Sequence, residues 1–121
     1  MLVIEMSDVL GKLRVERKPS SLMFRLFPKS AKIARDSFEL QWCPLNFLHA
    51  IYAVLAAYGG KVTSAEFEER RFRGEVFLKP AEGYGVLITN SEGDVTVKIR
   101  TDREDLRNLA GLLEPLPWSS P

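Results

Sequence analysis

From Leu40 to Gly60 the chain carries no Asp, Glu, Lys or Arg. A run of 21 uncharged positions is long enough to raise a membrane span. Gln41, Pro44, Asn46, His49 and the Gly59-Gly60 pair interrupt it, and its helical part, Leu45 to Tyr58, measures about 21 Å at ~1.5 Å per residue. That is too short to cross a bilayer. Apolar residues recur at Leu45, Leu48, Tyr52 and Leu55, with Phe47, Ile51 and Val54 beside them; Pro44 suits the first helical position and Gly59-Gly60 the C-terminal stop. A helix apolar nearly all round must be surrounded, by a sheet on one side and by other segments or a second subunit on the other.

After this helix the period changes from about 3.6 to 2. Glu75 to Lys79, Tyr84 to Thr89 and Val95 to Arg100 read as three antiparallel strands separated by turns at Pro80–Gly83 and Asn90–Asp94. Lys61 to Arg73 is open between two readings: Thr63-Ser64-Ala65-Glu66 resembles a capping box, but a charged strand joining the meander through Arg73-Gly74 is preferred. Asp102 caps a helix over Arg103 to Glu114, with Glu104 and Asp105 in its first turn. Leu106, Leu109, Leu113 and Leu116 make a seam that Pro115 cuts short, which favours core packing over a coiled coil. Upstream, Ser7-Asp8 reads as the cap of a short helix carrying Val9, Leu10 and Leu13, and Phe38, Leu40 and Trp42 alternate like a strand. No internal repeat, low-complexity tract or linker is visible. The expected fold is α+β: one domain over 1–121, an antiparallel sheet of about four strands on a buried apolar helix, and a C-terminal helix. Residues 1–42 form a basic, aromatic N-terminal segment, and 115–121 an extended, proline-rich tail whose Trp118 either tucks onto the domain or meets a protein partner.

At 121 residues such a domain needs no staple. One cysteine, Cys43, and one histidine, His49, exclude an internal disulfide and the usual zinc sets. The opening Met1-Leu2-Val3-Ile4-Glu5 is unlike a secretory signal, so a cytoplasmic protein is expected. Asn and Gln total four and Arg outnumbers Lys ten to seven, a usage that points to a thermophilic source. His49, within an apolar helix, reads as a buried structural histidine rather than a base, and Cys43 as an inert buried thiol. The acids Glu66, Glu68, Glu69 and Asp102, Glu104, Asp105 are interleaved with arginines and read as solvated surface. Gly83-Tyr84-Gly85 opens a strand and lacks a third glycine, so it reads as a turn and not a dinucleotide site. No catalytic residue, metal ligand or cofactor is assigned, and the chain is expected not to be an enzyme.

The formal charge of +1 conceals an uneven distribution. Arg17, Lys18, Arg25, Lys29, Lys32 and Arg35 fall in a 19-residue window without an acid; Leu10 to Leu40 sums to +5, and Gly74 to the end to −3. Rings interleave with the bases: Phe24, Arg25, Phe27, Lys29, Lys32 and Arg35, then Trp42. Proteins that hold single strands combine cations that track phosphates with rings on which bases stack. If Val76, Leu78, Val95, Val97 and Ile99 face the core, then Phe77, Lys79, Lys98 and Arg100 share the opposite sheet face, with Tyr84 and Arg71 to Arg73 near. Each of these rings also has a plain reading as core.

The stretch Phe24 to Trp42, the helix from Pro44 to Tyr58 and the strands over Glu75 to Arg100 together resemble the archaeal ThermoDBP family and its relatives. That resemblance implies a small α+β domain gripping single-stranded DNA or RNA in a basic, ring-lined cleft, assembled as a homo-oligomer; the family's long C-terminal zipper is not evident here. The leading expectation is a non-catalytic binder of single-stranded nucleic acid. The alternative is an interaction subunit that oligomerises through its apolar helices.

Overall fold

The computed structural model describes residues 2–57 and 63–114. Ten elements follow in order: β1 (Val3–Asp8), β2 (Gly11–Lys18), β3 (Ser21–Pro28), β4 (Asp36–Leu40), α1 (Leu45–Leu55), β5 (Thr63–Glu68), β6 (Phe72–Lys79), β7 (Gly83–Asn90), β8 (Thr96–Thr101) and α2 (Arg103–Leu113). The α+β class holds, with two four-stranded antiparallel meanders, β1-β2-β3-β4 and β5-β6-β7-β8. Four strands and a helix therefore occur twice, a topological repeat with no counterpart in the sequence pattern. Each helix leaves its own half to pack on the other: α1 lies on β5 and β6, α2 on β1 and β2, and the two helices touch.

The first sheet corrects the reading of the N-terminal third. Leu13, Val15 and Arg17 point inward from β2 while Lys12, Arg14, Glu16 and Lys18 point outward, the period of a strand. Asp8 caps no helix; its Oδ1 accepts the Leu10 N–H at 2.6 Å and closes the β1–β2 turn. Of the ambiguous stretch 61–73, Thr63–Glu68 resolves as a strand, but the chain reverses at Glu69–Arg71, where Glu69 N–H donates to the Phe72 carbonyl at 2.8 Å, and not at Arg73-Gly74. Phe67 and Phe72, five apart, suit no single period because they sit on two arms of one hairpin, both facing inward.

Between the sheets the rings form one cluster. Phe24 and Phe38 stack at 5.3 Å, Phe72 meets Phe24 at 5.1 Å, and Phe47 of α1 stacks on Phe67 at 4.5 Å. Leu106, Leu109 and Leu113 of α2 are fully buried, so this part of the seam is core packing as expected, and Leu116 lies outside the described residues. Asp102 caps α2 by accepting the Asp105 N–H at 2.7 Å. α1 has no cap from Pro44; the Glu69 carboxylate accepts the Phe47 N–H at 3.0 Å across the hairpin turn. The helix is covered on one side only, so Leu45, Asn46, His49, Tyr52 and Ala53 face outward, and His49 is exposed, not a buried structural residue. Among the described residues no helix is long and apolar enough to cross a membrane. Gly59-Gly60 and the 115–121 tail with Trp118 lie outside the described residues.

Arg17, an inward-pointing cation, ties the halves together. Its Nη1 donates to the Leu112 carbonyl at 2.8 Å and the Glu114 carbonyl at 3.2 Å, and the Cys43 thiol donates to the Leu113 carbonyl at 3.0 Å. These carbonyls are the negative end of α2. Burial, then Glu69, pushes the Cys43 thiol up, which keeps it protonated as the donor this contact needs. Arg17→Met is expected to cost about 1.5–3 kcal/mol, read as a lower urea midpoint, because charged hydrogen bonds to buried carbonyls are lost.

Tyr52 adds a pH dependence at the same place. Its hydroxyl donates to Glu114, and this bond, with burial second, pushes the phenol up to about 12 from an ordinary 10.0. The folded chain keeps a proton that the unfolded chain loses, so this contribution is complete below pH 10 and is lost as pH rises through about 12. Urea midpoints of the wild type should fall across that window more than those of Tyr52→Phe.

Candidate nucleic-acid interface

The two sheets meet where β8 crosses the ends of β1, β2 and β3. Gly11 makes the approach possible: a Cβ there would stand 2.8 Å from Val97 Cγ1, 3.0 Å from the Phe27 carbonyl oxygen and 3.7 Å from the Lys98 nitrogen. Asp8 pins the crossing, because its Oδ2 accepts the Arg100 N–H and lies 3.5 Å from Arg100 Nε. Asn90, buried, does the same at the other end of β8. Its amide donates to Asp36 at 3.0 Å and Asp94 at 2.8 Å, and its oxygen accepts the N–H groups of Asp94 and Val95.

Cations of both sheets gather along this junction. On the first sheet, Lys12 Nζ stands 4.2 Å from the centroid of Phe27, with Arg25 two residues before Phe27 on the same outward face. The β3–β4 loop follows directly and carries Lys29, Lys32 and Arg35, all exposed. The Ala31 N–H to the Pro28 carbonyl and the Arg35 N–H to the Leu26 carbonyl, both 2.9 Å, hold its shape, and Ser30 takes φ +66°. On the second sheet, Lys79 and Lys98 stand 4.7 and 5.6 Å from the centroid of Phe77. Arg100 shares that face. Val9 and Ile33, at the tips of the adjoining turn and loop, are 72% and 76% exposed.

The rings themselves correct the sequence reading. Phe24 points inward, is fully buried and is stacked on Phe38, so no base can reach it. Phe77 does lie on the outward face, but its ring rests on Gly85 beneath the lysine stems and is 0% exposed. Phe27 retains 9%. These two rings are floors that fix ammonium positions, each pair worth about 0.5–1 kcal/mol, and are not stacking platforms. Trp42 follows the far end of β4, half-buried, with the Arg70 guanidinium 5.4 Å from its ring. Arg71 stands 5.5 Å from the Phe38 ring, and Arg73 lies in the acidic half of the second sheet's outward face, with Glu66, Glu68 and Glu75. That face is thus divided, acids toward β5 and bases toward β8.

Lys12, Val9 and Ile33 were missed. Lys12 lies inside the basic stretch Leu10 to Leu40, and Ile33 between two of its cations, so both carry a signal; Val9 reads from the sequence as helical. Ionic contacts thread the basic line: Lys12 and Arg14 with Glu5, Arg25 with Glu16, Lys98 and Lys79 with Glu82. Among the described residues no three His, Cys, Asp or Glu side chains are grouped to hold a metal. No family model, curated protein or solved structure matches the chain.

Proposed function

We propose that this protein binds single-stranded nucleic acid without catalysis, along the line that runs from Lys29, Lys32 and Arg35 through Lys12 to Lys98, Lys79 and Arg100. The observation that carries this reading is the close approach at Gly11, which sets the start of β2 beside Lys98 of β8; on this reading the cations of the two sheets serve one strand. Phosphates track the ammonium and guanidinium groups, and the exposed Val9 and Ile33 offer apolar contact to unpaired bases. The acids on the β5 side repel the strand and confine it to the β8 side. The resemblance to the ThermoDBP family implies the same activity.

The test is fluorescence anisotropy with single-stranded DNA, single-stranded RNA and duplex, titrated with salt. Binding to the single strands should weaken linearly in log salt, with a slope of about −0.7 per phosphate neutralised. No binding at low salt would end the reading.

A second reading, an interaction subunit that self-associates through its helices, has support in the outward faces of α1 and α2. Leu45 and Tyr52 are 47% and 40% exposed, and a Cβ on Gly111 would meet nothing within 4 Å. It requires that Gly111→Glu lower the mass measured by light scattering while leaving strand binding unchanged.

A further inference from the structure

On the outward face of the second sheet, the first half of β7 offers a lane without side chains, which ends at Leu87. Gly83 pairs with Lys79, and Gly85 pairs with Phe77 on one side and Arg100 on the other. The Phe77 ring lies across Gly85, where an added Cβ would stand 2.1 Å from its Cζ. The result is a flat aromatic floor walled by Lys79, Lys98 and Arg100. One group fills it. Glu82, in the β6–β7 turn, places its carboxylate 2.9 Å from Lys98 Nζ and 3.8 Å from Lys79 Nζ. The turn brings it there because the Glu82 N–H donates to the Lys79 carbonyl at 3.1 Å and Gly83 takes φ +74°. The hydrogen bond from Lys98 holds the Glu82 carboxyl below the usual carboxylate range.

We propose that Glu82 occupies the seat of one phosphate of the bound strand and competes with it, so that binding proceeds by exchange of the carboxylate for a phosphodiester on Lys98 and Lys79. This rests on the single-strand reading above. A carboxylate and a phosphodiester each carry one negative charge and accept hydrogen bonds from ammonium groups, so the seat made for one suits the other. Ion pairs at a solvent-facing site hold weakly, which lets the exchange occur. Asp8, another acid on this line, differs: it also accepts the N–H groups of Leu10 and Arg100 and is built into the fold.

The test compares wild type, Glu82→Gln, Glu82→Ala and Glu92→Gln by anisotropy on a short fluorescein-labelled oligothymidylate. Glu92, exposed in the β7–β8 turn, controls for the change in net charge. Both Glu82 variants are expected to bind about three- to ten-fold more tightly at low salt, with a slope steeper by about 0.7. Glu92→Gln should stay within about two-fold of wild type. Glu82 variants no tighter than Glu92→Gln, with wild type binding normally, would overturn the competitor role and leave the interface standing. No binding by any of the four would overturn both.

Discussion

Phe72→Ala is expected to remove about 3–5 kcal/mol of folding stability, a large part of the 5–15 kcal/mol that a domain of this kind has in total. Phe72 is fully buried where everything meets: its ring lies 5.1 and 5.4 Å from Phe24 and Phe38 of the first sheet, 5.5 Å from Phe47 of α1 and 5.6 Å from Phe67. Truncation leaves a cavity that two sheets and a helix would have to collapse into together, which a rigid sheet pair does poorly. Urea unfolding should show a lower midpoint at unchanged slope. A cost under about 1 kcal/mol would mean that this cluster is not what joins the halves.

The second large effect concerns binding. Lys12→Glu combined with Lys98→Glu is expected to weaken strand binding about 100-fold at low salt and to flatten the salt slope by about 0.7 per lysine. The two residues belong to different sheets, whose strands β2 and β8 come together at the close approach of Gly11 to Lys98. Arg71→Glu with Arg73→Glu changes the total charge equally away from this line, Arg73 standing in the acidic half of the second sheet's outward face, and should cost no more than about three-fold. Equal losses in the two pairs would mean that the strand responds to net charge and not to this line.

What was legible in the sequence were the elements whose signals are local. Asp102 followed by Glu104 and Asp105 marks the start of α2, and the alternation of Val97 and Ile99 against Lys98 and Arg100 marks β8. The first sheet was hidden because Ser7-Asp8 imitates a helix cap and because Arg17 takes an inward position that a periodic reading reserves for an apolar residue. Its reason is distant: it caps carbonyls at the end of α2. The basic window was legible as composition but not as a surface, since strand alternation sends Arg17 inward and Arg25 outward and leaves Lys29, Lys32 and Arg35 on a loop. Strand alternation gives Phe77 its correct outward face but not its burial, because the glycine it lies on is on the neighbouring strand. The His49 error has the same origin. Helical spacing shows that a helix is apolar; it does not show how many sides the rest of the chain covers.

The most direct test of the interface is amide chemical-shift mapping on the labelled protein titrated with a short single-stranded oligonucleotide. The largest perturbations should fall on Val9 to Lys12, Phe27 to Arg35, Lys79 to Gly83 and Lys98 to Arg100, at the junction of the two sheets, with Trp42, Arg70 and Arg73 little changed. Perturbations centred instead on the outward faces of α1 and α2, or on Trp42 and Arg70, would contradict it.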